Sequence, residues 1–158
     1  MQISTHIRGA FLVVLLVFAL VPAAQAATLT RTERSLLGAV NDVRAAHNLR
    51  PLRVDAKLLA TARAYSTTLI RQDVFTHGNF AERLAASGAH GPAFGENLAW
   101  GTGSGGSPAT IVRMWMASPG HRANLLRPGW VRVGIGARTG NFLGYPGANV
   151  VTADFAGT

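Results

Sequence analysis

Trp115-Met116-Ala117-Ser118-Pro119-Gly120-His121-Arg122-Ala123-Asn124-Leu125-Leu126 is the stretch on which the reading of the whole chain turns. It predicts a helix end at Trp115 and Met116 and a break at Ser118-Pro119-Gly120. A polar group follows in His121, Arg122 and Asn124, and an apolar anchor in Leu125 and Leu126. Pro119 has no N–H with which to extend a helix, and Gly120 is free to take the positive φ of a sharp exit. His121 is therefore expected at a fixed corner. A histidine at a helix end is ordinary by itself, because the helix dipole favours a cation there. Two upstream pieces give it company: Phe75-Thr76-His77 and Gly95-Glu96-Asn97-Leu98.

The chain has 158 residues, and the first 26 read as a cleaved signal peptide. Arg8 is the only charge before Arg31, Phe11 to Val21 is unbroken apolar sequence, and Ala24-Gln25-Ala26 has the small-x-small form of a cleavage site. The apolar run falls short of the roughly 20 residues that a bilayer needs. Residues 27–158 are then expected to form one exported domain, periplasmic or extracellular. There are no cysteines, so a thiol nucleophile, a thiolate metal site and disulfides are all excluded.

The formal charge is +8, and loss of Arg8 leaves +7. Between Arg31 and Arg71 eight basic residues stand against three acids. Such a face attracts anionic envelope surfaces. The basic residues lack the interleaved aromatics of a single-strand binder, so no nucleic acid is expected.

Upstream of the deciding stretch, Thr30 and Glu33 have capping-box spacing for a first helix from Arg31 to His47. Leu36, Val40 and Val43 make its inward stripe, and Arg34, Asn41, Arg44 and Asn48 fall largely on the other side. Leu49-Arg50-Pro51-Leu52 is extended. Asp55 caps a second helix to Gln72, with Leu58, Leu59, Ala62, Tyr65, Leu69 and Ile70 inward. Phe75 is expected to anchor its turn in the core and leave His77 at the mouth. Asn79 caps a short helix, Phe80 to Ala86.

Phe94 to Trp100 reads as a loop that sets one carboxylate and one amide among apolar flanks. Glu96 is thus expected to be partly buried and in need of partners. Gly101 to Gly106 is a flexible glycine loop without the Lys-Ser/Thr ending of a phosphate loop. Ser107-Pro108 starts a helix that runs to Ala117. After Leu126, Val131 to Ala137 alternates with period two, and Asn149 to Phe155 is a second strand. Gly140 to Gly147 between them is a loop, or a hairpin with Tyr145-Pro146-Gly147 at its turn. Helices first and paired strands last argue α+β, with helices packed on a mostly antiparallel sheet.

These pieces together resemble the CAP superfamily, or SCP-like domain, in a compact cysteine-free bacterial form. The resemblance rests on Asn41 with Arg44, Leu49-Arg50-Pro51-Leu52, Phe75-Thr76-His77, Gly95-Glu96-Asn97-Leu98, the stretch from Trp115 to Leu126, and Val131-Arg132-Val133-Gly134-Ile135-Gly136. It covers nearly all of residues 27–158. It implies a three-layer α-β-α sandwich with helices on both sides of the sheet, and a cleft of two histidines and two acids. Carried over, the histidines are His77 and His121, which could hold a weak Zn2+, and the first acid is Glu96. The family's second acid, three residues after the tryptophan, is here Ser118, so the set departs from the pattern. Asn124 falls where the family often has an amide.

Two readings of function follow, beside a third in which the chain is a stress or envelope protein with a vestigial cleft. One is an exported binding domain, expected to be a monomer, whose cleft of His77, Glu96, Ser118, His121 and Asn124 takes a small molecule, a lipid or a partner. The other is a metal-assisted hydrolase or peptidase with Glu96 as catalytic general base.

Overall fold

The computed structural model describes residues 28–157, so the expected signal peptide lies outside the described residues. Thr30 opens the first helix, α1 (Arg31–Ala46), by the capping box its spacing predicts: its hydroxyl accepts the Glu33 N–H, and Glu33 accepts the Thr30 N–H. After α1 come β1 (Arg53–Val54), α2 (Ala56–Gln72), α3 (Phe80–Ala86) and β2 (Phe94–Gly101). A single 3-10 turn, Gly103–Gly106, precedes α4 (Pro108–Ala117) and α5 (Pro119–Leu125), and the chain closes with β3 (Trp130–Phe142) and β4 (Tyr145–Gly157). Asp55, Asn79 and Ser107 cap α2, α3 and α4 with their side chains, as the sequence predicts.

The sheet order is β1-β3-β4-β2, parallel between β1 and β3 and antiparallel elsewhere. The central pair is therefore the closing hairpin, and β2 is an edge. The period-two rule assigns the faces. Val133 and Ile135 of β3, with Val151, Ala153 and Phe155 of β4, pack into a core shared with Leu36 and Val40 of α1 and Ile111 and Trp115 of α4. Gly134 and Gly136 point the other way, to α2. A Cβ on Gly134 would lie 2.0 Å from the Leu58 carbonyl carbon, and one on Gly136 would lie 2.3 Å from the Arg63 nitrogen. The α2 backbone thus rests directly on the strand, which only glycine permits. The result is the expected α+β sandwich, with α1 and α4 on one face and α2 on the other.

Several local expectations are corrected. Phe94 to Trp100 is a strand rather than a loop, because pairing with β4 supplies the hydrogen bonds that a lone segment lacks. Ser118 is the whole of the break, at φ −97° and ψ 121°, and the helix resumes at Pro119. Proline suits a first helical position, where its missing N–H is not needed. Gly120 is consequently helical and takes no positive φ. The glycine segment after β2 is partly a 3-10 turn, with Gly106 buried against Gly101. The hairpin turn sits at Leu143 and Gly144, both at positive φ, so Tyr145-Pro146-Gly147 belongs to β4. Phe75 is 42% exposed and meets Phe142 edge-on instead of anchoring the core.

Arg44 is the largest departure. Placed outward by periodicity, it is fully buried. Its guanidinium donates to the carbonyls of Arg50 at 2.9 Å, Leu125 at 2.7 Å, Arg127 at 3.2 Å and Trp130 at 3.4 Å. A planar fork of donors matches carbonyls that end α5 and lead into β3, so the charge is solvated by backbone oxygens in place of water. Asn41 completes the join by exchanging hydrogen bonds with the backbone of Leu52.

Candidate functional site

The deciding motifs meet at the β2 edge. Alternation along β2 turns Glu96 toward the α2 face and Gly95 and Asn97 toward α5. Asp73 ends α2 in a left-handed cap, and the chain then runs past Phe75 to bring His77 up beside the strand. From the opposite layer, the Ser118 break turns the chain so that the first turn of α5 presents His121. His77 and His121 therefore arrive from different layers and face each other across an edge strand. Their ring centroids are 6.4 Å apart, with planes inclined at 43°. The cleft between them measures about 470 Å³ and is lined by His77, Glu96, Ser118, His121 and Asn124, together with Phe80 and Phe94. All five side chains singled out from the sequence border it.

Glu96 is almost wholly buried, 4% exposed. Its Oε1 lies 2.7 Å from His77 Nδ1, and its Oε2 accepts from an Arg83 guanidinium nitrogen. A carboxylate oxygen accepts, so His77 Nδ1 carries the hydrogen, and in the neutral imidazole Nε2 is the nitrogen with the lone pair. Arg83 also donates to the His77 carbonyl at 3.3 Å and lies over the Tyr65 ring at 3.4 Å. Tyr65 in turn donates its hydroxyl to the Thr76 carbonyl at 2.7 Å, the hydrogen-bonded aromatic expected from the sequence. The Phe75–His77 segment is thus tied at successive residues to α2 and α3.

The other side of the cleft is tied just as closely. Asn97 donates to the His121 carbonyl at 3.0 Å, and Asn124 donates to both the Glu96 carbonyl and Asn97 Oδ1 at 3.0 Å. Asn124 is therefore a strut between α5 and β2 that also lines the cleft. Gly95 is required beneath it, because a Cβ there would meet the Trp130 ring at 2.8 Å and Asn124 Oδ1 at 3.1 Å. Ser118 makes no capping hydrogen bond to α5 with its hydroxyl. Burial lowers the pKa of His121, and the neighbouring His77 lowers it further, so His121 is held in the neutral form that donates a lone pair.

Arg83 and Asp154 are site residues that sequence reasoning missed. Asp154 pairs with Glu96 in the β2–β4 register, so the two side chains share a face. It is fully buried, and among the described residues neither of its oxygens meets a hydrogen-bond donor. Burial, then repulsion from Glu96, pushes its carboxyl well above the usual carboxylate range, against the opposing pull of Arg83. A neutral acid beside Glu96 follows. Asp154 lies behind Glu96 rather than in the cleft, whose lining among the described residues contains Glu96 and Ser118 but no second acid. Its only sequence signal is parity: Asp154, Thr152 and Val150 alternate onto one face of a strand.

Beside the cleft, and sharing Ser118 and His121 with it, runs an apolar slot of about 280 Å³ lined by Phe75, Leu98, Trp100 and Met114.

A three-layer sandwich with a histidine-lined cleft at its edge strand defines the class. The chain belongs to the CAP family, the cysteine-rich secretory protein family, whose pattern matches residues 37–155. It is 31% identical over 109 residues to YkwD of Bacillus subtilis (strain 168), covering 66% of this chain and 41% of that protein. It is 30% identical over 112 residues to the membrane protein YlbC of the same strain, covering 68% of this chain and 32% of that one. The chain thus spans less than half the length of these relatives. Among solved structures, an SCP-domain extracellular protein from Bacillus anthracis str. Ames superposes with a TM-score of 0.68 at 23% identity, over 80% of this chain and 40% of that one. An outer surface protein from Borrelia burgdorferi gives 0.65 at 20% identity, over 82% of this chain and 97% of that one.

Proposed function

We propose that the protein is an exported CAP domain whose edge cleft binds a small amphipathic ligand, with His77 and His121 as donors to a weakly held zinc ion. The observation that carries this reading is the opposition of the two imidazoles, one engaged by Glu96 through Nδ1, so that Nε2 is the nitrogen that would meet a metal, and the other kept neutral by burial. Among the described residues no three His, Cys, Asp or Glu side chains converge on one point, so the donor set fits a labile two-nitrogen site completed by water and not a closed structural one. Bound zinc would supply a Lewis acid to a ligand oxygen. The apolar slot beside His121 supports a ligand with an apolar limb. Export is supported by the extracellular and outer-surface character of similar solved structures, and no helix among the described residues is long and apolar enough to cross a membrane.

The alternative, hydrolysis with Glu96 as general base, is less favoured. Both Glu96 oxygens are already engaged, one by His77 and one by Arg83, which suits a carboxylate that orients an imidazole. Calorimetric titration of the protein with zinc tests the reading. One saturable site, lost in His77→Ala/His121→Ala, is expected. Absent binding, or binding unchanged in that variant, overturns the metal assignment.

A further inference from the structure

The far edge of the sheet carries a second feature, unrelated to the histidine cleft. Parallel pairing sets Arg53 of β1 beside Arg132 of β3. Like charges on neighbouring strands repel unless something stands between them. Both line a groove of about 700 Å³ with Arg50, Pro51, Val54 and Val131, larger than the cleft. Arg50 and Arg53 are exposed. Arg132 is half-buried: it donates to the carbonyls of His90 and Gly157, while its Nε is buried without an acceptor among the described residues. One carboxylate is near, Asp55, whose Oδ2 lies 3.9 Å from the Arg132 guanidinium and whose Oδ1 is occupied in capping α2. Three guanidiniums therefore face one acid.

The rest of the molecule sharpens this imbalance. Glu33, Glu96 and Asp154 are all buried, so three of the seven acids contribute nothing at the surface. Arg31, Arg34, Arg50, Arg53, Lys57, Arg71, Arg113, Arg122 and Arg127 are exposed. The groove is where such charge is concave and paired by register.

We propose that the groove at the β1 edge binds a linear phosphate-bearing polymer that has no bases. Phosphate oxygens would accept from the exposed Arg50 and Arg53, offsetting the repulsion between Arg53 and Arg132 on the paired strands. The lining contains no aromatic ring, so there is no platform on which a nucleobase would stack. Concavity favours a chain over a flat bilayer.

Inorganic polyphosphate is the probe, with oligo-dT of equal charge and phosphatidylglycerol–phosphatidylcholine vesicles alongside. Polyphosphate is expected to bind saturably in about 0.1 M salt and more tightly than oligo-dT. Arg50→Ala/Arg53→Ala should weaken it about tenfold and make the slope of log K against log salt shallower by about 1.4, the loss of two phosphate contacts. Arg71→Ala/Arg113→Ala removes the same charge from other exposed sites and should change affinity less than twofold. Arg53→Glu should abolish binding, and thermal melts confirm that each variant is folded. Equal losses in the two double variants would overturn the proposal, as would stronger binding to oligo-dT or binding to vesicles alone.

Discussion

The Asp154 carboxyl is buried, meets no donor among the described residues and faces Glu96 across the register. Because its folded pKa is raised, the folded state holds a proton that the unfolded chain releases above its ordinary pKa of 3.8. Stability is therefore lost as pH rises from that value toward the folded pKa. Asp154→Asn keeps the shape and removes the ionisation. Its Tm should exceed that of the parent at pH 8, and the gap should close by about pH 4; scanning calorimetry across that range checks it. His77, Glu96 and His121 were legible in the sequence because each sits in a short motif whose chemistry is local. Asp154, Arg83 and Arg44 were not. Their burial is decided by strand register and by carbonyls far along the chain, which helical periodicity around Arg44 could only contradict.

At the scale of the element, the interface between α2 and β3 and the first turn of α5 make opposite demands on glycine. Gly134 supports the α2 backbone, and a methyl group there would have to displace the helix. Gly134→Ala is expected to cost about 3 kcal/mol or more, an overpacking that no flexible side chain relieves. Gly120 has nothing within 4 Å of an added Cβ and lies in a helix. Gly120→Ala should therefore stabilise by about 0.5–1 kcal/mol. Urea titration of both variants separates the cases. The sequence marked both glycines. Gly134 serves close packing as its place in the strand suggests, whereas Gly120 does not take the positive φ expected of it. A Ser-Pro-Gly string reads equally as an exit or as a fresh helix start, and β2 showed no strand signature until β4 paired with it.

Across the whole molecule, one buried carboxylate links the layers. Glu33 of α1 accepts from Arg63 of α2 at 2.6 and 2.9 Å and from Arg138 of β3 at 3.3 Å. Burial drives its pKa up, but the hydrogen bonds from Arg63 and Thr30 and the Arg63 charge prevail and bring it down from 4.5 to about 2. A depressed folded pKa gives stability that is present above 4.5 and lost as pH falls toward 2. The loss is on the order of 3 kcal/mol. Denaturant curves at pH 5 and pH 2 should show the parent's advantage over Glu33→Gln shrinking by about that amount. The α+β class was readable from the order of helices and strands and the three layers from the family resemblance, whereas the clasp between Glu33 and Arg63, 30 positions apart, was not.

The strand order has a consequence in time. Both central strands, β3 and β4, come last among the described elements, while the strands that need them, β1 and β2, are made first. During synthesis β1 has no neighbour to pair with until Trp130–Phe142 has left the ribosome, and β2 has none until Tyr145–Gly157 has followed. The histidine cleft is built on the β2 edge, so it cannot close on a partly made chain. On the exported route proposed above, a nascent chain that cannot complete its sheet stays threadable until its final hairpin is released.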